Sequence, residues 1–171
     1  MSDYTASLNE FNRIKGYFTG DKNIAAYFLA HFNSATVSEV RIKLNECINH
    51  SENRFNLSDL SAYILKLNLD TLLRSGDLSA VQKICEFKNS GFGICQIASR
   101  YCNWHNAHAY AICSEYAYQF LYNKMPTENT EVSYVRFTKD IARKRKEMNL
   151  EELNYMEFDK FLWLFKPGMQ G

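Results

Sequence analysis

Apolar residues in this chain recur at three- and four-residue spacing, and nowhere does an apolar-polar alternation persist over a full strand. That period constrains the fold most strongly, because the faces to be buried are then stripes on helices and must pack against other helices. Seven Gly and two Pro in 171 residues suit helices joined by short turns better than a sandwich or a barrel. The expectation is an all-α fold: one domain over residues 1–171, a compact bundle of about eight to nine helices, most of them short. A chain of this length buries roughly two-thirds of its unfolded surface and needs neither disulfide nor metal to fold. Twelve Phe, eleven Tyr and two Trp supply a core of large rings whose polar tips need partners.

In chain order, Leu8, Phe11, Ile14 and Phe18 describe one helical face, with Gly20-Asp21 read as its stop. Ile24, Tyr27, Phe28 and Phe32 repeat the pattern. Thr36 and Glu39 form a capping box before a helix expected from Val37 to about Asn49, with Val40, Leu44 and Cys47 inward and Glu39, Arg41, Lys43 and Glu46 outward. A polar connection, His50 to Arg54, precedes a long helix read from Ser58 to Arg74 and closed by Gly76. Asp77 caps the next helix. After a loop around Pro126, Tyr134, Phe137, Ile141 and Met148 line one side of a strongly basic helix. Asn154 and Glu157 form a second capping box that opens an aromatic helix, stopped at Lys166-Pro167-Gly168.

Five cysteines in no recognisable disulfide spacing, behind an N-terminus without an apolar leader, point to the reducing cytoplasm. No run approaches the ~20 apolar residues of a membrane span, so a membrane is not an expected partner. The formal net charge of +1 means that any attraction for nucleic acid must come from a local surface. No cofactor motif is visible.

The most informative stretch is Gly91 to Leu121. Gly91-Phe92-Gly93 reads as a tight turn feeding a helix, where free backbone N–H groups hold a phosphate or, more commonly, merely join two helices. Along that helix Ile97, Ala98, Tyr101 and Cys102 read as inward, and Gln96, Ser99, Arg100 and Asn103 as outward. A further helix is expected from Ala109 to Tyr122.

Residues 97–106, IASRYCNWHN, followed by residues 110–116, YAICSEY, resemble the helix-hairpin-helix DNA glycosylase superfamily, in particular its small single-domain bacterial relatives. Residues 158–163, FDKFLW, resemble the closing helix of the same domain. The resemblance covers residues 78–166. It implies a glycosylase-like fold whose hairpin N–H groups grip a DNA phosphate and whose pocket receives a flipped base. It also implies an Asp early in the second helix and, in bifunctional members, a Schiff-base Lys. Here the Asp position holds Ser114, the preceding Pro position holds Ala111, and the Lys position holds Cys95 or Gln96. A hydroxyl cannot supply the fixed negative charge that an oxocarbenium-like state requires. Glu115, one residue on, is the remaining catalytic candidate, turned about 100° around the helix.

The expected function is therefore DNA binding on a glycosylase-like scaffold without standard base excision. A monofunctional glycosylase using Glu115 and a protein-interaction module, for example in phage defence, are the alternatives. Duplex DNA or a protein is the expected partner. The candidate DNA contacts are Gly91, Gly93, Ile94, Gln96 and Arg100 around the hairpin, with Lys139, Arg143 and Lys144 on the basic helix. Arg145 and Lys146 extend that basic face, and Glu147, Glu151 and Glu152 follow closely enough to make it a self-compensated solvated surface instead. Cys102, His105, His108 and Cys113 have non-standard spacing for zinc and read as buried thiols and loop histidines; no metal is expected. Cys113 beside Ser114 and near His105 reads as core rather than as a nucleophile.

Overall fold

The computed structural model describes residues 4–48, 55–89 and 91–166. Among these residues ten α-helices and two short 3-10 turns follow one another without a strand. The helices are α1 (Thr5–Ile14), α2 (Thr19–Ala30), α3 (Val37–Cys47), α4 (Leu57–Leu67), α5 (Asp70–Ser75) and α6 (Ser79–Cys85), then α7 (Gly91–His105), α8 (Glu115–Tyr122), α9 (Tyr134–Glu147) and α10 (Tyr155–Phe165).

The all-α expectation holds, and so do both capping boxes and the stop at Gly76. Thr36 Oγ1 accepts from Glu39 N at 3.2 Å while the Glu39 carboxylate accepts from Thr36 N at 3.0 Å, the reciprocal box that starts α3. Asn154 and Glu157 do the same for α10. Gly76 ends α5 with φ +71°, a conformation glycine adopts without steric cost.

Three boundaries differ from expectation. Gly20-Asp21 does not stop a helix; it lies in the first turn of α2, where the Asp21 carboxylate sits at the positive end of the helix dipole. The long helix expected from Ser58 to Arg74 breaks at Asn68, whose φ of +47° ends α4, and its N-cap is Asn56, accepting from Ser58 N and Asp59 N. The helix expected from Ala109 begins only at Glu115. The connection at His50–Arg54 and the stop at Pro167-Gly168 lie outside the described residues.

α7 runs through the centre, flanked by α2, α3, α5 and α6. The two ends of the chain meet where α1 packs on α10, with the Phe11 and Phe161 rings edge to face at 5.9 Å. α8 packs between α9 and α10. Lys43, read as outward, is fully buried: its ammonium donates to Phe32 O at 3.1 Å and Ser34 Oγ at 2.9 Å and lies 5.5 Å from the Phe28 ring centroid. Burial lowers its pKa to about 8.

No helix among the described residues is long and apolar enough to cross a membrane.

Candidate functional site

The residues carrying the resemblance come together where the end of α7, the extended segment 110–114 and α10 meet. This segment is buried although it is not helical: Tyr110, Ala111, Cys113 and Ser114 are all inside. Its backbone polar groups must therefore find partners other than water. α7 and α9 supply them. Asn103 Nδ2 donates to Tyr110 O at 2.6 Å, Ser99 Oγ accepts from Cys113 N at 2.9 Å, and Tyr134 Oη donates to Ala111 O at 2.8 Å. This corrects the outward reading of Ser99 and Asn103, which face the segment they satisfy and are fully buried. The Tyr110 hydroxyl in turn reaches Leu72 O and Asp77 O, tying the segment to the end of α5.

Ser114, at the position where the resemblance places Asp, is the N-cap of α8. Its Oγ accepts from Ala117 N at 3.0 Å and donates to the Asp159 carboxylate at 2.5 Å. A carboxylate is thus present beside the cap, delivered from α10 rather than from α8. Desolvation raises the Asp159 pKa to about 6, opposed by the Ser114 hydrogen bond and by the nearby Arg100 guanidinium. Arg100 also donates to Cys47 O at 3.2 Å, which fixes it against the end of α3. Asp159 lies within the FDKFLW motif, but nothing local marks it as a site residue, since its pairing with Ser114 spans 45 positions. Glu115 is exposed in the first turn of α8.

The hairpin is closed by the protein itself. Gly91 has φ +61°, and a Cβ there would lie 2.0 Å from Glu128 O. Phe92 N donates to that same carbonyl at 3.2 Å. The loop after α8 thus occupies the start of α7 where a phosphate was expected. Ile94 and Gln96 are buried, so neither side chain is presented to a DNA backbone. Of the hairpin candidates, Gly91 and Gly93 keep a close-packing role, Gly93 facing the Phe55 ring at 3.6 Å.

The basic helix is different. In α9 Tyr134, Phe137 and Ile141 are buried, while Arg136, Lys139, Arg143 and Lys146 are exposed. At about 100° per residue these four fall within about 80° of arc on the side opposite the buried stripe, along about 15 Å of axis. Asp140 and Glu147 border one edge of the row: Arg143 reaches Asp140 at 3.0 Å, Arg136 reaches it at 3.8 Å, and Lys144 reaches Glu147 at 2.8 Å. Lys139 and Lys146, on the other edge, have no ion-pair partner among the described residues. Arg145 is withdrawn from the surface. Its guanidinium donates to Glu151 O at 2.9 Å and to Leu153 O and lies 4.4 Å from the Tyr155 ring centroid. Over α9 as a whole six cations face two carboxylates. Compensation is therefore partial.

Among the described residues no three His, Cys, Asp or Glu side chains come together to hold a metal. Cys102 and Cys113 are buried and His108 is exposed. His105 sits among Phe28, Phe32 and Tyr101 at ring distances of 5.0, 4.9 and 5.0 Å, with no partner for either nitrogen among the described residues. Burial, helped by Lys43, lowers its pKa to about 3, so the ring is neutral. Cys113 is fully buried and its thiol neighbours that of Cys95.

Residues 3–109 match the family model HI_0787_N, an N-terminal domain. The chain belongs to that family. The match takes in α1 to α7, including the buried face of α7 that carries Ser99 and Asn103, and ends where the extended segment begins. No curated protein and no solved structure matches the chain.

Proposed function

We propose that this protein binds duplex DNA on a glycosylase-like scaffold through the outer face of α9, and that it does not excise bases. The observation that carries the reading is the row Arg136, Lys139, Arg143 and Lys146, exposed along one side of a helix whose other side is anchored in the core. Lys139 and Lys146 have no ion-pair partner among the described residues and lie with Arg143 on the last three turns of α9, so these three are the contacts assigned to phosphates. Two further features favour binding without chemistry. Ser114 is committed to its cap and to Asp159, and the hairpin start is filled by Glu128 O instead of being open to a phosphate.

Fluorescence anisotropy with a labelled duplex at low salt tests this. Parent protein binds, and Lys139→Gln/Arg143→Gln/Lys146→Gln binds at least tenfold more weakly while keeping its helical circular dichroism. No binding by the parent, or equal binding by the triple variant, refutes the assignment. The enzymatic alternative is tested on a panel of lesion-bearing duplexes: release of a free base, abolished by Glu115→Gln, overturns the second half of the proposal.

A further inference from the structure

A cavity of about 800 Å³ lies between the end of α6, the start of α7 and the loop that leads into α9. None of the α9 cations lines it, so its chemistry is independent of DNA binding. Two cysteines do line it. Cys85, the last residue of α6, is partly exposed, and Cys95 lies one turn after Gly91 on the same face of α7. Both are free, and their thiols stand within hydrogen-bond reach of each other. Cys95 also neighbours the Cys113 thiol, so three sulfurs form a row that starts at the cavity wall and runs into the core. The contact with Cys95 raises the Cys85 thiol, the contact with Cys113 raises the Cys95 thiol, and burial adds to both, so the pair is uncharged at neutral pH.

Neighbouring thiols are a ligand set for soft metal ions. Tetrahedral zinc needs four converging ligands, and among the described residues no three His, Cys, Asp or Glu side chains converge. Hard ions such as magnesium and calcium take about six or more oxygens. What fits is an ion content with two sulfur ligands in a line, and monovalent copper is such an ion. The charged residues of the wall, Glu128 and Glu131, are both acidic, so the field at the cavity favours a cation. An ion that meets the Cys85 sulfur is already beside the Cys95 sulfur.

We infer that Cys85 and Cys95 form a binding site for one monovalent copper ion, held between their two sulfurs. On binding, each sulfur gives its proton to solvent and forms one bond to the metal. Two S–H bonds are replaced by two S–Cu bonds, the copper stays Cu(I), and no oxidant or reductant is consumed.

The test loads the reduced full chain with Cu(I) under anaerobic conditions, in competition with bicinchoninate, whose coloured Cu(I) complex fades as the protein takes the metal. The parent is expected to take up one equivalent. Cys85→Ser and Cys95→Ser should each weaken binding by at least about 100-fold, the upper end of what losing an outer-shell partner of a metal ligand costs. Cys47→Ser, on α3, and Cys113→Ser should leave the affinity unchanged. X-ray absorption at the copper edge of the loaded parent needs no variant and should show two sulfur ligands. Failure of the parent to take copper from the chelator overturns the inference. So does unchanged binding in Cys85→Ser or Cys95→Ser, an equal loss in Cys113→Ser, or a copper shell with three sulfurs or with nitrogen or oxygen.

Discussion

His105 gives the protein a specific weakness to acid. It is neutral in the folded state because desolvation, with Lys43 nearby, lowers its pKa to about 3. In the unfolded chain the same imidazole titrates near 6.5. The folded pKa is thus the lower one, so the unfolded state takes up a proton first. Stability is lost as pH falls below about 6.5 and continues to fall until about 3. Between pH 7 and pH 5 this single linkage costs about 2 kcal/mol. Asp159 acts in the other direction. Its raised pKa makes the folded state the better proton binder between about 3.8 and 6, which adds about 1.3 kcal/mol over the same interval. Comparing His105→Phe with the parent removes the first effect and leaves the second. Urea unfolding at pH 7 and pH 5 should show the variant losing about 2 kcal/mol less than the parent. At pH 7 the variant also gains from losing an unpaired buried N–H, by ~1–3 kcal/mol before any packing cost of the larger ring. An identical pH dependence in the two proteins would refute the burial argument.

Ser114→Ala should cost about 1–2 kcal/mol through the lost cap of α8, and should raise the Asp159 pKa further above 6 because a stabilising donor is gone; carbon NMR of the carboxyl through a pH titration reads this directly. Gly91→Ala should destabilise by about 2 kcal/mol or more, since it imposes a positive φ on a residue with Cβ and drives that Cβ into Glu128 O; thermal unfolding measures it. Asn154→Ala should remove half of the α10 capping box at a cost of about 1 kcal/mol, seen as a lower urea midpoint with an unchanged slope.

What the sequence made legible was local. Thr36 with Glu39, Asn154 with Glu157 and the glycine after Ser75 act within one helical turn, so adjacent residue types suffice to reveal them. The apolar stripe of α9 was readable for the same reason. Most of the misread residues answer to parts of the chain outside their own helix. Ser99 and Asn103 look like surface residues on a helical wheel, yet they are buried because the extended segment 110–114 runs against them and needs partners. Lys43 looks like a solvated lysine and is buried because the carbonyl of Phe32 and the hydroxyl of Ser34 close over it. Gly20-Asp21 carries the composition of a stop and serves as a start. At the site, the sequence shows Ser114 where the resemblance implies a carboxylate, but the carboxylate that contacts it comes from Asp159, and no local pattern joins the two positions. The glycine turn at Gly91 was visible; the carbonyl of Glu128 that fills it was not.

The central claim is that the outer face of α9 neutralises DNA phosphates, and the salt dependence of duplex binding tests it most directly. Each phosphate neutralised contributes about −0.9 to the slope of log K against log salt concentration. Contacts from Lys139, Arg143 and Lys146 predict a parent slope near −3, falling towards zero in the triple glutamine variant. A parent slope near zero, or the same slope in both proteins, would contradict the account.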